Sequence, residues 1–187
     1  LDRLRESEET HHVIVQELPS SPESFIHLDM AFTILSDEHC MIYEPLIMKP
    51  NRHRTVYIRI EEGRVIDIRN VKNIPDTLAD LGMELEPIPC GGSDDRILQE
   101  REQWHSGTNF FALAPGHLIA YERNVNTLEA MNRMGYEIFR AKDVLSGKAE
   151  PPESGKWVIT IEGSELARGG GGPRCMTMPV RRTKLMD

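Results

Sequence analysis

Cys175 closes a stretch unlike any other in this chain, Gly163-Ser164-Glu165-Leu166-Ala167-Arg168-Gly169-Gly170-Gly171-Gly172-Pro173-Arg174-Cys175-Met176-Thr177-Met178-Pro179. Four consecutive glycines lack Cβ atoms, so the backbone can take positive φ and approach a ligand closely while delivering one thiol. Such a segment presents a reactive cysteine; the alternative is a flexible tail with an inert buried thiol. A cysteine attacks as its thiolate, which nearby positive charge favours. His27-Leu28-Asp29 offers the complement. On a strand the period of two puts His27 and Asp29 on one face, imidazole beside carboxylate; the alternative is an ordinary strand end with a satisfied core histidine. Histidine can protonate a leaving amine and then deprotonate water, and a carboxylate can grip a planar cation by paired hydrogen bonds. Nucleophile, proton shuttle and anion together suit a guanidinium substrate. His11, His12, His39, His53, His105 and His117 lack a matching partner and read as surface or structural.

Composition narrows the class. A chain of 187 residues with 39% hydrophobic and 28% charged residues fits one domain with a sizeable core. The net charge of −8 and the lack of a long basic block argue against a nucleic-acid surface and weakly favour a cationic small ligand. No apolar run reaches a membrane span and no signal-peptide layout opens the chain, so a cytoplasmic location is expected. Three widely spaced cysteines, Cys40, Cys90 and Cys175, form neither a disulfide framework nor a zinc pattern. No metal is expected, and Cys90 reads as inert. The chain begins with Leu1 inside a charged, helix-like segment, from which a partial chain is expected.

The elements that must position these residues read in order. Residues 1–12 pattern as the end of a polar helix and Val13-Ile14-Val15 as a short strand. Residues 25–35 pattern as a longer strand, with Cys40-Met41-Ile42-Tyr43 as its hairpin partner. Residues 55–60 and 64–68 form a second hairpin around Glu61-Glu62-Gly63, a surface elaboration. Asn73 to Leu81 reads as a helix with Pro75 near its start, followed by a strand over 84–88. Residues 89–109 read as a polar connection with one tryptophan, Trp104, whose backbone either lines a pocket or merely links elements. Strands over 109–113 and 117–121, a helix over 126–133 and a strand over 135–139 follow. Residues 148–156 form a linker, 157–161 read as a strand, and the glycine-rich tail starts what reads as a third, incomplete unit. Residues 29–32, 42–44, 77–78 and 81–85 parallel 109–111, 120–122, 127–128 and 134–138, giving an internal strand, strand, helix, strand repeat. Stacked units of this kind bury faces that neither buries alone, and a propeller-like ring is their natural closure.

These blocks resemble the C-terminal part of arginine deiminase, in the guanidine-modifying or pentein superfamily. The resemblance rests on His27-Leu28-Asp29 with Ala31-Phe32-Thr33, Arg101-Glu102-Gln103-Trp104 with Gly107 and Asn109, Ala114-Pro115-Gly116 with Tyr121-Glu122-Arg123-Asn124, and Arg168 to Met178. It implies an α/β (α+β) fold, a five-fold pseudosymmetric α/β-propeller of which residues 1–187 would supply about half, the N-terminal half being a missing partner. It also implies roles. Cys175 would attack the guanidinium carbon to give a thiouronium intermediate, His27 would be the general acid and base, and Asp29 would bind guanidinium nitrogens. Arg168 and Gly170 would lie in the substrate-binding tail. No cofactor is implied, and the product would be citrulline. Gly170 stands where many deiminases carry an arginine and Ser106 where an aspartate is common, so a guanidine other than free arginine stays open. The alternatives are another guanidine-modifying hydrolase or amidinotransferase, a non-catalytic fragment that associates with itself or a complementary chain, and a module that binds cationic peptides.

Overall fold

The computed structural model describes residues 9–181. Its elements are β1 (His11–Gln16), β2 (Phe32–Ile34), β3 (His39–Ile42), α1 (Glu44–Ile47), β4 (Thr55–Glu61), β5 (Arg64–Val71), α2 (Ile74–Asp80), β6 (Glu86–Pro89), α3 (Arg96–Trp104), β7 (Phe111–Ala114), β8 (His117–Tyr121), α4 (Val125–Arg133), β9 (Tyr136–Arg140), α5 (Ala141–Leu145) and β10 (Lys156–Ile161). They form three sheets, ordered β1-β4-β5, β2-β3-β6 and β7-β8-β10-β9. This is a mixed α/β architecture, and among the described residues no sheet closes on itself.

Both expected units run strand, strand, helix, strand. In the first, β2 is antiparallel to β3 and β6 joins β3 in parallel, after α1 and the β4–β5 hairpin have intervened. In the second, β7 is antiparallel to β8, but β10 inserts between β8 and β9, with Val158 opposite both Leu118 and Ile138. The strand expected over 157–161 is found at 156–161, where it completes the second sheet. Val158 is fully buried, so apolar burial on both faces selects the central position.

The core sits between the two units. Strand β3 is the clearest case, because all four of its residues are buried and alternate in direction. Met41 points to one cluster with Leu35, Ile88, Leu118, Met131 and Val158. Cys40 and Ile42 point to the other, with Phe25, Phe32, Tyr43 and Ile74. Each such side chain contributes roughly 1.5–3 kcal/mol of burial. The β4–β5 hairpin forms as expected; β4 also pairs with β1, leaving β5 at a free edge with Val65, Ile66 and Ile68 exposed.

Three local expectations are corrected. Residues 1–8 of the expected polar helix lie outside the described residues, while His11 and His12 belong to β1, paired with Ile60 and Arg59. Residues 25–35 are not one strand. They make two 3-10 turns, Glu23–Phe25 and Leu28–Met30, and only 32–34 pair as a strand. Side chains of this segment's carbonyl partners explain why: Gln103 Nε2 donates to Met30 O at 3.0 Å and Thr108 Oγ1 donates to Asp29 O at 3.0 Å, groups a strand would give to its neighbour. The polar connection over 89–109 contains α3, capped by Asp95, whose carboxylate accepts from the Ile97 and Leu98 amides at 2.7 and 3.3 Å.

One buried and one half-buried histidine make stability depend on pH. His39 is only 4% exposed and packs edge-on against Tyr136. Burial, then the Lys156 charge, lowers its pKa from the ordinary 6.5, and burial followed by Arg123 and Arg101 lowers that of His105. The unfolded chain therefore binds more protons than the fold just below pH 6.5, so stability falls as pH drops through that value. The thermal midpoint is expected to be lower at pH 5.5 than at 7.5, with the difference reduced in His39→Asn. An equal difference in the variant would remove His39 from the account.

Candidate functional site

The site is assembled by the segment that follows β6. Helix α3 buries a polar face, Gln99, Glu102 and Gln103, and each side chain ties down a neighbour. Gln103 Nε2 donates to Ser24 O at 3.2 Å as well as to Met30 O, and its Oε1 accepts from Ser24 Oγ at 2.9 Å. Those bonds and Thr108 hold the loop that carries His27 and Asp29. Glu102 is fully buried and faces the start of α4: Oε1 accepts from Asn126 N at 3.0 Å and Nδ2 at 2.6 Å, Oε2 from Thr127 N at 2.8 Å and Oγ1 at 2.7 Å. Just beyond the helix stands Asn109, 1% exposed.

Asn109 receives the tail. Its Oδ1 accepts from the backbone N–H groups of Arg174 at 3.1 Å and Cys175 at 3.3 Å, and its Nδ2 donates to Cys175 Sγ at 3.2 Å. Upstream, the Tyr121 hydroxyl donates to Gly171 O at 3.4 Å and Arg123 Nη1 donates to Ser164 O at 2.9 Å. Gly172 lies so close that a Cβ there would stand 2.6 Å from Asn109 Oδ1 and 2.8 Å from its backbone oxygen. Cys175 itself is exposed, whereas Cys40 and Cys90 are buried and burial pushes both thiols to about 12. At neutral pH those two are inert thiols.

Asp29 completes the arrangement. Its Oδ2 lies 4.0 Å from Cys175 Sγ and 3.7 Å from Arg174 Nε. Its Oδ1 is buried and accepts no hydrogen bond from the described residues. A buried carboxylate oxygen without a donor is costly and marks a place for a cationic ligand. Beside the tail, a cavity of about 200 Å³ opens between Glu23, Ile26, Met30, Trp104, Arg168 and Gly170. A larger cavity of about 470 Å³ is lined by Phe25, Tyr43, His53 and again Trp104; neither cavity is lined by Cys175 or Asp29.

Of the residues singled out from sequence, Cys175 and Asp29 lie together. His27 does not share a strand face with Asp29: it is extended, with φ −140° and ψ 159°, and immediately precedes the Leu28–Met30 turn. A 3-10 turn has three residues per turn, so the period of two does not apply. The His27 side chain is exposed and makes no hydrogen bond or ion pair among the described residues. Arg168 pairs with Glu165 at 3.0 Å, both largely exposed, and Gly170 is exposed with φ 77°. Asn109, Gln103, Glu102 and Arg174 carry the local geometry and are not among the residues that motif chemistry selects. The signal for Gln103 and Glu102 is a polar stripe at helical spacing, 99, 102, 103 and 106, where an apolar stripe is the usual cue; Asn109 and Arg174 have no such signal.

Gly172→Ala tests the seating of the tail. The added methyl cannot coexist with the Asn109 backbone, so the thiol must shift, and a displacement of about 1 Å costs on the order of 100-fold in turnover. The fold, anchored elsewhere, should unfold within about 1 kcal/mol of the parent. Turnover within a factor of about three of the parent would show that the tail need not rest on Asn109.

An exposed thiol beside a partly unpaired carboxylate, on a mixed α/β scaffold, defines a candidate for nucleophilic chemistry on a cationic group. Comparison with known proteins sharpens this. A family model for arginine deiminase matches residues 1–182, and the chain belongs to the arginine deiminase family. It is 36% identical over 182 residues to the arginine deiminase of Mycoplasma capricolum, an alignment covering 94% of this chain and 37% of that protein. With that of Listeria welshimeri it shares 37% over 176 residues, covering 92% and 37%, and with that of Bacillus cytotoxicus 35% over 175 residues, covering 91% and 37%. The chain thus spans little more than a third of the length of these relatives. Among the described residues no helix is long and apolar enough to cross a membrane.

Proposed function

We propose that residues 1–187 form the C-terminal part of an arginine deiminase, a cytoplasmic hydrolase that converts L-arginine to L-citrulline and ammonia. The observation that carries the reading is Cys175 Sγ standing 4.0 Å from Asp29 Oδ2, with Oδ1 of the same carboxylate buried and without a donor. A substrate guanidinium entering here would take the place of Arg174 at Oδ2 and give Oδ1 its missing partner. Sγ attacks the guanidinium carbon; the carbon–nitrogen bond breaks, and the nitrogen leaves as ammonia with a proton from His27. His27 then takes a proton from water, the oxygen adds to the same carbon, and the carbon–sulfur bond breaks to leave a ureido group and a free thiol. Thiol and imidazole perform both steps, so the mechanism calls on no cofactor.

The two strand, strand, helix, strand units would be consecutive blades of a five-fold pentein propeller, whose remaining blades, and the groups that orient the rest of the substrate, lie in a partner segment outside this chain. Self-association is the other way to cover the open flanks of these sheets. A second reading concerns the substrate. Gly170 offers no side chain and Arg168 is paired with Glu165, so a guanidine lacking the α-carboxylate is the competing substrate class.

The test is citrulline release from L-arginine by the whole protein, beside ureido-product release from agmatine and methylguanidine. Product from arginine that vanishes in Cys175→Ala supports the proposal. Product from the decarboxylated guanidines alone favours the second reading, and no product from any of them in a folded protein turns the assignment to a non-catalytic, self-associating or peptide-binding role.

A further inference from the structure

We propose that Asn109 is a catalytic group for the Cys175 thiol, its side-chain amide donating a hydrogen bond that holds the sulfur as a thiolate at the substrate carbon. The inference rests on the reading of Cys175 as the nucleophile and extends it.

The orientation of the amide follows from its surroundings. Oδ1 meets two donors, the N–H groups of Arg174 at 3.1 Å and Cys175 at 3.3 Å. A flipped amide would set its NH₂ against both and turn a carbonyl lone pair to the sulfur, so Nδ2 is the atom that faces Sγ at 3.2 Å. Backbone bonding from Asn109 N to Ser106 O at 3.0 Å and the close pack of Gly172 hold the residue in place. A donor aimed at sulfur favours its charged form, and does so more strongly where solvent is excluded.

The other groups facing Sγ show why a donor is needed. Asp29, 4.0 Å away, opposes a second negative charge, and Arg174, 3.7 Å from that carboxylate, offsets it only in part from a half-exposed position. The Tyr121 phenol, raised by burial and then by the Cys175 charge, stays neutral and donates to Gly171 O and weakly to Met176 Sδ. Among the described residues Asn109 is therefore the sole side-chain donor to the sulfur.

Two substitutions separate this role from that of a tail anchor. Asn109→Ala removes the donor and the anchor. Asn109→Asp keeps an acceptor for the two tail N–H groups but loses the donor and adds a like charge. The readout is the rate of iodoacetamide alkylation of the 187-residue chain between pH 6 and 10, with mass spectrometry of the Cys175 peptide. Cys40 and Cys90 stay silent while the fold holds, so a count of one modified thiol certifies each variant. At pH 7 the alanine variant should react about tenfold more slowly than the parent and the aspartate variant about 100-fold more slowly, with the gaps narrowing to within about threefold by pH 10. An anchor alone predicts the reverse order, so an aspartate variant that reacts as fast as the parent, or faster than the alanine variant, overturns the proposal. Alkylation reads the sulfur without turnover. Slowed alkylation in a protein that forms no citrulline would uphold Asn109 while the deiminase reading fails, and unchanged alkylation in an active deiminase would do the opposite.

Discussion

Cys175→Ala is expected to abolish citrulline release by the whole protein, a loss of at least roughly 10⁴-fold. The size follows from the division of labour in a covalent mechanism. Without the thiol, water must attack a resonance-stabilised cation directly, with neither a strong nucleophile nor a leaving group prepared for the second step. Binding should survive, because Asp29 and its buried Oδ1 remain, so the variant should still take up arginine. His27→Ala should lower the rate by about 10²–10⁴, the range for a lost proton-transfer group. The informative measurement is single turnover with acid quench. The parent should show the Cys175 peptide carrying the substrate's amidino carbon, and His27→Ala should accumulate it. A Cys175→Ala variant that keeps more than a hundredth of the parent rate would sink the covalent mechanism.

The largest effect on stability should come from Glu102. Its carboxylate accepts four hydrogen bonds at 2.6–3.0 Å from Asn126 and Thr127 at the first turn of α4, and it is fully buried. The network reaches further. Gly91 N donates to Thr127 Oγ1 at 2.8 Å, so the hydroxyl hydrogen is left for Glu102. One side chain thus joins α3, α4 and the end of β6. Alanine here leaves the Asn126 and Thr127 donors buried without partners and opens a cavity, which together cost about 3–5 kcal/mol. In a chain of this size that lowers the melting midpoint by roughly 10 °C. Glutamine should cost about half as much, since one of its two polar ends must face donors. Urea unfolding gives both numbers, and a loss below about 1 kcal/mol for alanine would mean that water satisfies the helix end instead.

How much of this the sequence discloses depends on which force shaped each element. Strand β8 is expected at 117–121 and found there, because a short apolar run, Leu118-Ile119-Ala120-Tyr121, is bounded by the turn signals Pro115-Gly116 and Asn124. The helix over 74–80 is likewise legible from Asn73, whose Oδ1 accepts from Asp76 N at 2.7 Å, and from Pro75 in the first turn. Helix α3 is not, since its buried face is polar and is paid for by partners distant in sequence. The segment over 25–35 misleads for the same reason: its apolar run suits a strand, yet Gln103 and Thr108 claim its carbonyls. Residue chemistry alone singles out Cys175 and Asp29, and they lie 4.0 Å apart. The Asn109 contact lies 66 positions from its cysteine and has no local pattern to announce it.

The place of β10 sets a timetable for the seating of Cys175. It is the last strand in sequence among the described residues, yet it lies between β8 and β9, which do not pair with each other there. Until residues 156–161 emerge, the second sheet stays split; at about 5–20 residues per second, that interval after β9 lasts roughly one to four seconds. The tail leaves β10 at once, and Gly163 is packed against the ring of Tyr121 on neighbouring β8. Completion of the second sheet therefore seats the start of the tail, and Cys175 follows 14 residues beyond Ile161 to reach Asn109. The nascent chain thus seats its exposed thiol on Asn109 after the strands described here have been made.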